Sequence, residues 1–144
     1  MSVEENKALV RRYIEEMDKG NMAIVDQLFA TNCVSHYPGG LDVRGPEALK
    51  EHLTGIYTAF PDFLHTIEDM IAEGDKVVAR FINRVTHKGE FMGIAPTGKQ
   101  VVFTAIAIFH IVNGKFVETW AAIDVLGLLQ QLGAVPPLGK GENE

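Results

Sequence analysis

Asp124, His110 and His36 are the side chains in this sequence best suited to transferring protons. Asp124 lies among apolar neighbours in the segment ETWAAIDVLGLLQQLG, residues 118–133. A carboxylate in such a setting is costly unless it is hydrogen-bonded or keeps its proton. Aspartate is a preferred N-cap, and residues 125–132 have a helical pattern, so Asp124 is either a helix cap, a catalytic acid/base, or both.

The two histidines join this candidate site through their positions in the chain. Asn113-Gly114 favours a two-residue hairpin turn, which would place His110 one strand away from the segment with Trp120 and Asp124. An imidazole and a carboxylate that face one apolar cavity form a proton-transfer pair. A histidine hydrogen-bonded to a neighbour, without a catalytic role, is the alternative. His36 falls in a predicted loop between helices, where it is either solvated or placed at a pocket mouth to shuttle a proton.

Other chemistries find little support in the sequence. The five histidines show no H-x-x-H or H-E-x-x-H spacing, and no Walker A, G-x-G-x-x-G or G-x-S-x-G motif occurs. Cys33 is the only cysteine, which excludes an internal disulfide, and we interpret it as a small buried apolar residue. We therefore expect no metal and no other cofactor.

Length and charge limit the classes of partner. With 144 residues, the chain has the size of one domain, predicted to span residues 1–135, with a loose tail at 136–144. The net charge is −6 and the 13 lysines and arginines are scattered, which argues against nucleic acids and anionic membranes. The sequence shows neither a signal peptide nor an apolar run of bilayer length, so we expect a cytoplasmic protein.

The periodicity of the sequence predicts helices first and strands second. Three helices are expected, and their signals are a Ser2/Glu5 capping box, an Asn21 cap and the pair Gly45-Pro46. Four strands are expected at residues 63–72, 76–88, 99–112 and 115–124. This order indicates an α+β fold in which a sheet packs against the N-terminal helices.

The third predicted strand is apolar on both faces. Phe103, Ala105, Ala107 and Phe109 lie on one face, and Ile106 and Ile108 lie on the other. Since the helices can cover only one face, a second copy of the chain is the simplest cover for the other. We therefore expect a homodimer through the sheet, or a tetramer built from it.

Two segments resemble those of the SnoaL-like polyketide cyclases, a family of the nuclear-transport-factor-2-like, or ketosteroid-isomerase-like, superfamily. They are THKGEFMGIAPTGKQVVFTAIAIFHI and ETWAAIDVLGLLQQLG. The resemblance implies a cone-shaped, curved mixed β-sheet wrapped around the N-terminal helices, with an apolar pocket inside. It also implies that Asp124, in the pattern E-x-W-x-x-x-D, is an acid/base and that His110 lines the same pocket. His36 and Ile108 occupy positions where we would expect asparagine and glutamine.

The resulting expectation is a cofactor-free lyase or isomerase that acts on a small, mostly apolar carbonyl compound. Asp124 would remove a proton next to a carbonyl, while His110 and His36 would hydrogen-bond the oxygen where charge develops. The expected substrate pocket comprises Tyr13, Trp120, Ile108, Phe91 and Met92. Two alternatives remain: a module that binds an apolar ligand without turnover, and a structural dimer with a filled core.

Overall fold

The computed structural model of the protein describes residues 2–136. Four helices and six strands occur in this part of the chain. In chain order they are α1 (Val3–Asp18), α2 (Ile24–Leu28), β1 (Phe29–Tyr37), β2 (Leu41–Arg44), α3 (Pro46–Ala59), β3 (Leu64–Glu73), β4 (Lys76–Thr86), β5 (Gln100–Val112), β6 (Lys115–Ile123) and α4 (Val125–Gln131). The predicted tail lies outside the described residues except for Pro136.

The first helix begins at the predicted capping box. The Ser2 side chain accepts a hydrogen bond from the Glu5 backbone N–H at 3.1 Å, and the Glu5 carboxylate accepts one from the Ser2 backbone at 2.8 Å. The predicted Asn21 cap of α2 is wrong. Ala23 is the N-cap residue, without a side-chain hydrogen bond, because the Asn21 amide donates to the Glu16 carboxylate at 2.7 Å.

All six strands form one sheet in the order β2-β1-β6-β5-β4-β3. Neighbouring strands are antiparallel except β1 and β6, which are parallel, so the sheet is mixed as expected. The sequence interpretation missed β1 and β2, a hairpin that turns at Pro38-Gly39-Gly40. Both glycines have positive φ values, +83° and +74°, which glycine adopts without a steric penalty. His36 therefore lies on a strand and not in a loop.

The helices cover one face of the sheet, which we call the inner face, and the opposite face is the outer face. On β5, Val101, Phe103 and Phe109 are buried, whereas Val102 and Ile106 are exposed in the single chain. This alternation follows from the period of two in a strand. The outer face of β5 is thus apolar and uncovered.

An aromatic cluster joins α1 to the inner face of the sheet. Tyr13 packs edge-on against Phe29, Phe109 and Phe116, with ring centroids 5.1, 6.2 and 5.6 Å apart. Burial of each such ring stabilises the fold by about 1.5–3 kcal/mol. The cluster fixes α1 over the sheet and so sets the position of Asp18, the last residue of the helix.

No helix in the described range 2–136 combines the length and apolarity needed to cross a membrane.

Candidate active site

A cavity of about 810 Å³ lies between the inner face of the sheet and the helices. Its wall is mostly apolar, and the sheet contributes small side chains at Ala105, Ala107 and Ala121 that leave space above the strands. Aromatic rings complete the wall, namely Tyr13, Tyr37, Tyr57, Phe60, Phe63, Phe81, Phe91, Phe103 and Phe109. A volume of this size lies in the range of ligand pockets, roughly 300–1,000 Å³.

A few polar side chains interrupt this apolar wall. His65 on β3 and Asn83 on β4 are cross-strand partners in register, and both line the cavity. The Asn83 side chain is buried, and its Oδ1 has no hydrogen-bond partner among the described residues. A buried amide oxygen without a partner costs about 1–3 kcal/mol, so a donor from a bound molecule would relieve that cost.

His65 is held by the aspartate at the end of α1. Its Nδ1 lies 2.7 Å from Asp18 Oδ1, and its backbone N–H donates to Asp18 Oδ2 at 2.9 Å. Both side chains are largely buried, with 17% and 14% of their surfaces exposed. The sequence interpretation did not select either residue. The available signal was an aspartate at a helix C-terminus, where the helix dipole disfavours negative charge.

Tyr37, Tyr57 and His52 also line the wall and are uncharged near neutral pH. Burial raises the pKa of Tyr37 and of Tyr57 well above the usual value, and the nearby carboxylate of Asp18 raises that of Tyr57 further. Burial lowers the pKa of His52, whose ring lies 4.3 Å from that of Tyr37. The tyrosine hydroxyls therefore remain hydrogen-bond donors, and the His52 imidazole remains neutral.

Asp124 is exposed and caps α4. Its Oδ1 accepts a hydrogen bond from the Gly127 backbone N–H at 2.9 Å. Ile123 and Val125, the residues on either side, line the cavity, but the Asp124 side chain is not part of the cavity wall. This geometry is that of the helix-cap alternative, and catalysis by Asp124 stays a prediction.

His110 does not share a cavity with Asp124, contrary to the expected arrangement. It lies on the outer face of β5, and its Nε2 is 2.7 Å from Asp75 Oδ2. The hydrogen bond of the His110 ring holds the pKa of Asp75 below its usual value. The expectation correctly put His110 on the same face as Ile108, but the cavity lies on the opposite face.

His36 is also on the outer face, between two carboxylates. Its Nδ1 is 2.7 Å from Asp42 Oδ1, and its Nε2 is 2.6 Å from Glu118 Oε2. Hydrogen bonds from the ring to Glu118 and Asp42 raise the pKa of His36. The ring also stacks on Trp120 at a centroid distance of 5.6 Å. The structure thus brings together none of the three predicted catalytic side chains.

Four of the five residues expected in the pocket do line the cavity: Tyr13, Trp120, Phe91 and Met92. Ile108 does not, because it lies on the outer face. The ring of Trp120, its cross-strand partner, also lies on the outer face against His36, so Trp120 borders the cavity without adding its ring to the wall. Phe91 and Met92 belong to a tight turn in which Phe91 and Ile94 exchange two backbone hydrogen bonds.

Among residues 2–136, no group of three His, Cys, Asp or Glu side chains is arranged to hold a metal ion.

Comparison with known proteins identifies the family. The profile of SnoaL-like polyketide cyclases matches residues 7–132. The chain belongs to the SnoaL-like polyketide cyclase family. Among curated relatives, the aklanonic acid methyl ester cyclase DnrD of Streptomyces peucetius is 30% identical over 138 residues, which cover 92% of this chain and 94% of DnrD. The cyclase of the same name from Streptomyces galilaeus, AcmA, is 31% identical over 90% of this chain and 91% of its own.

Solved structures of related proteins share the fold. AclR from Streptomyces galilaeus, a proposed hydroxylase, has a TM-score of 0.86 at 30% identity. The alignment covers 96% of this chain and 87% of AclR. TsrD from Streptomyces laurentii has a TM-score of 0.83 at 27% identity, and the alignment covers 94% of this chain and 99% of TsrD. The curved mixed sheet with its N-terminal helices is the nuclear-transport-factor-2-like fold, which a protein of that class from Burkholderia pseudomallei shares at a TM-score of 0.77 and 17% identity, over 91% of this chain and 98% of its own. As a member of the SnoaL-like family with named cyclase relatives, the protein is an enzyme of the cyclase type.

Proposed function

We propose that this cyclase-type enzyme closes a ring, or moves a double bond, in an apolar carbonyl compound by acid/base catalysis inside the cavity. The observation that carries the proposal is the cavity itself, which is large, mainly apolar and supplied with a few polar groups from β1, α3, β3 and β4. Three relatives are named for aklanonic acid methyl ester, so this ester is the first substrate to test.

The proposed reaction begins with loss of a proton from the carbon next to a carbonyl. The electrons of the broken C–H bond form an enolate, and a base on the protein holds the proton. In a cyclisation, the enolate carbon forms a C–C bond to a second carbonyl carbon, whose oxygen then takes the proton back. In an isomerisation, the proton returns at another carbon. Neither route needs a metal or a nucleotide, because the carbonyl already accepts the electrons.

Hydrogen-bond donors on the wall support this chemistry. The hydroxyls of Tyr37 and Tyr57 remain protonated, and both residues line the cavity. A donor placed at the oxygen where charge develops stabilises the transition state by about 2.7–4 kcal/mol. The apolar wall excludes water and strengthens such interactions.

Hydrogen–deuterium exchange next to the carbonyl tests the proposal. The compounds are aklanonic acid methyl ester, β-keto esters and cyclic ketones, followed by mass spectrometry and NMR. We expect exchange or ring closure with at least one of them. Binding without exchange across the panel would support the ligand-binding alternative instead.

Two adjacent alanines on β6 provide a matched pair of variants. Ala121 lines the cavity, whereas Ala122 is exposed on the other face. Ala121→Phe fills the space and should lower activity by ~10²-fold, a loss typical of a misplaced substrate. Ala122→Phe should keep activity within about threefold of the wild type, because its side chain lies beside Ile106 on the outer face and leaves the space of the cavity unchanged. Equal activity of both variants would contradict the assignment of the cavity.

We further propose that the outer face of the sheet binds a second copy of the chain. Ile71, Val102, Ile106 and Val112 are 62%, 47%, 46% and 41% exposed there, and an apolar area of this kind is typical of an interface. The mass in dilute solution should be at least twice that of one chain, and Ile106→Glu should reduce it. A wild-type protein of single-chain mass would contradict this proposal.

A further inference from the structure

The pair His65–Asp18 has the geometry of a positioned imidazole. Asp18 uses both carboxylate oxygens on the same residue, one on the His65 ring and one on its backbone N–H. An ionised carboxylate only accepts hydrogen bonds, so His65 Nδ1 carries the proton that it donates to Asp18. The ring is therefore fixed as the Nδ1–H tautomer when neutral, with Nε2 as the basic nitrogen.

The basic nitrogen has no partner in the protein. Within residues 2–136, His65 Nε2 makes no hydrogen bond, whereas the ring of His36 has both nitrogens engaged by carboxylates. His65 lines the cavity, and so its unengaged nitrogen is available to a molecule bound there. No other histidine on the cavity wall is hydrogen-bonded to a carboxylate in the described part of the chain.

Aromatic rings and neutral polar groups fix the ring plane of His65. Phe63 stacks on it at 4.3 Å and Phe81 packs edge-on at 5.6 Å. The groups that face His65 are Asp18 from α1, the protonated hydroxyl of Tyr57 from α3 and the amide of Asn83 from β4. Asn83 Oδ1, which lacks a partner, can accept a hydrogen bond from a substrate hydroxyl or enol beside His65.

The end of α1 is an unfavourable place for Asp18, which makes this pair informative. Negative charge at a helix C-terminus typically costs 0.3–1 kcal/mol, and the last turn of α1 contains no basic residue. The two hydrogen bonds to His65 offset that cost. An Asn at the same position would avoid the dipole penalty, but it would lack the second acceptor oxygen that holds the ring.

We propose that His65 is the catalytic base and acid of the cavity, and that Asp18 is its positioning residue. This inference rests on the proposed function. His65 Nε2 takes the proton from the carbon next to the substrate carbonyl, leaving an enolate and an imidazolium whose charge Asp18 balances. After the enolate carbon attacks the second carbonyl carbon, the same nitrogen returns the proton to the new alkoxide. Charge and protons balance, and the enzyme ends in its starting form.

The experiment compares two histidine–aspartate pairs of equal ring-to-carboxylate distance, one inside the cavity and one outside. His65→Gln should lower the exchange or cyclisation rate by at least ~10²-fold, the lower range for a positioned acid/base. The control, His110→Gln, should stay within about threefold, as for a surface change. If the wild type is active and His65→Gln keeps its rate, this inference fails while the proposed function stands. If the wild type binds but does not exchange any compound, the proposed function fails, and the catalytic role of His65 with it.

Asp18→Asn tests the positioning role. We expect kcat to fall by at least ~10²-fold with little change in KM, because the ring loses its fixed tautomer while the cavity stays intact. A parallel change in KM and melting temperature, with kcat unchanged, would show a structural role only.

Nitrogen-15 NMR of the imidazole provides a readout that does not depend on turnover or on the variants folding. In the wild type with a neutral His65 ring, we expect the proton on Nδ1 and none on Nε2. A proton on Nε2 of the neutral ring would overturn the inference even if the enzyme is active.

Discussion

Two histidine–aspartate pairs on the two faces of one sheet have the same geometry and different surroundings. The ring-to-carboxylate distance is 2.7 Å both in His65–Asp18 and in His110–Asp75. The side chains of the inner pair are 17% and 14% exposed, whereas those of the outer pair are 28% and 58% exposed. The distance therefore does not distinguish them. What differs is the environment: one imidazole lines an apolar cavity, and the other lies on an uncovered surface.

The two pairs contribute differently to the stability of the fold for the same reason. An exposed ion pair contributes about 0–1 kcal/mol, because water screens it and its side chains lose entropy. A largely buried pair interacts more strongly, but it must also recover the cost of desolvation. Loss of the outer pair should therefore change the free energy of unfolding little, whereas removal of one partner of the inner pair should lower it more.

The largest expected effect on stability concerns a buried polar group of the inner face. Asn83→Leu removes the amide oxygen that lacks a partner, so the free energy of unfolding should rise by about 1–3 kcal/mol while activity falls. Urea unfolding and exchange assays measure the two effects. Arg84→Leu, one residue further on β4 and exposed, is the control and should change unfolding by about 0.5 kcal/mol or less. A less stable Asn83→Leu protein would contradict the prediction.

The second prediction concerns the cap at Asp124. Asp124→Ala should lower the free energy of unfolding by ~1 kcal/mol, whereas Asp124→Asn should leave it nearly unchanged, because asparagine caps helices as well as aspartate does. With His65 as the base, Asp124→Asn should also keep activity within about threefold. A loss of ~10²-fold in a stable Asp124→Asn protein would instead support Asp124 as the catalytic acid/base.

Gly127 sharpens the test of this cap. A Cβ at Gly127 would collide with the Asp124 carboxylate. In the wild-type background, Gly127→Ala should therefore raise the free energy of unfolding little, because the better helix propensity of alanine is offset by displacement of the Asp124 cap. In the Asp124→Ala background the collision is gone, and the same change should stabilise by up to about 1 kcal/mol. Equal effects in both backgrounds would show that the cap does not contribute to stability.

The third prediction uses the pH dependence of stability at His36. The carboxylates of Glu118 and Asp42 raise its pKa in the folded state, so its contribution is complete below the unfolded pKa of about 6.5. It should decline as the pH rises through the folded value. The stability difference between the wild type and His36→Gln, measured in urea from pH 5.5 to 9, should shrink with rising pH. It should remain below about 1 kcal/mol, since 29% of the His36 side chain is exposed. A difference that grows with pH would contradict this.

The smallest effect is expected at His110. Replacement by glutamine removes the hydrogen bond to Asp75 and should change the free energy of unfolding least among these variants, because the Asp75 side chain is 58% exposed and water screens the contact. Because that hydrogen bond lowers the pKa of Asp75, most of this small change should vanish once Asp75 is protonated at low pH. Urea titrations at pH 7 and at pH 3 test both points. A larger loss at the lower pH would be the contrary result.

Local patterns predicted the regular parts of the fold, including four strands and the caps of α1 and α4. The sequence failed where the pattern was ambiguous. Residues 29–37, FATNCVSHY, mix polar and apolar types, and the Pro-Gly-Gly turn after them was interpreted as a loop between helices. A strand that pairs with a partner far along the chain carries little of its stability in its own sequence.

The candidate site was harder to predict because it depends on which face of the sheet the helices cover. The sequence of β5 is apolar on both faces, so periodicity alone could not tell that Phe103 and Phe109 face the cavity while Ile108 and His110 do not. The contact between Asp18 and His65 joins residues 47 positions apart. It arises only when α1 packs over β3, and no local pattern reports that packing.

The parallel pairing of β1 with β6 also has a consequence for the order of folding. Strands β3 to β6 pair with their neighbours in the chain, but β1 must wait for β6, since His36 is in register with Trp120. At about 5–20 residues per second, the ribosome needs several seconds to synthesise the intervening segment. During that time one long edge of β1 has no partner strand. The N-terminal helices can form early, yet the enclosed space they help to build exists only once the C-terminal hairpin has arrived.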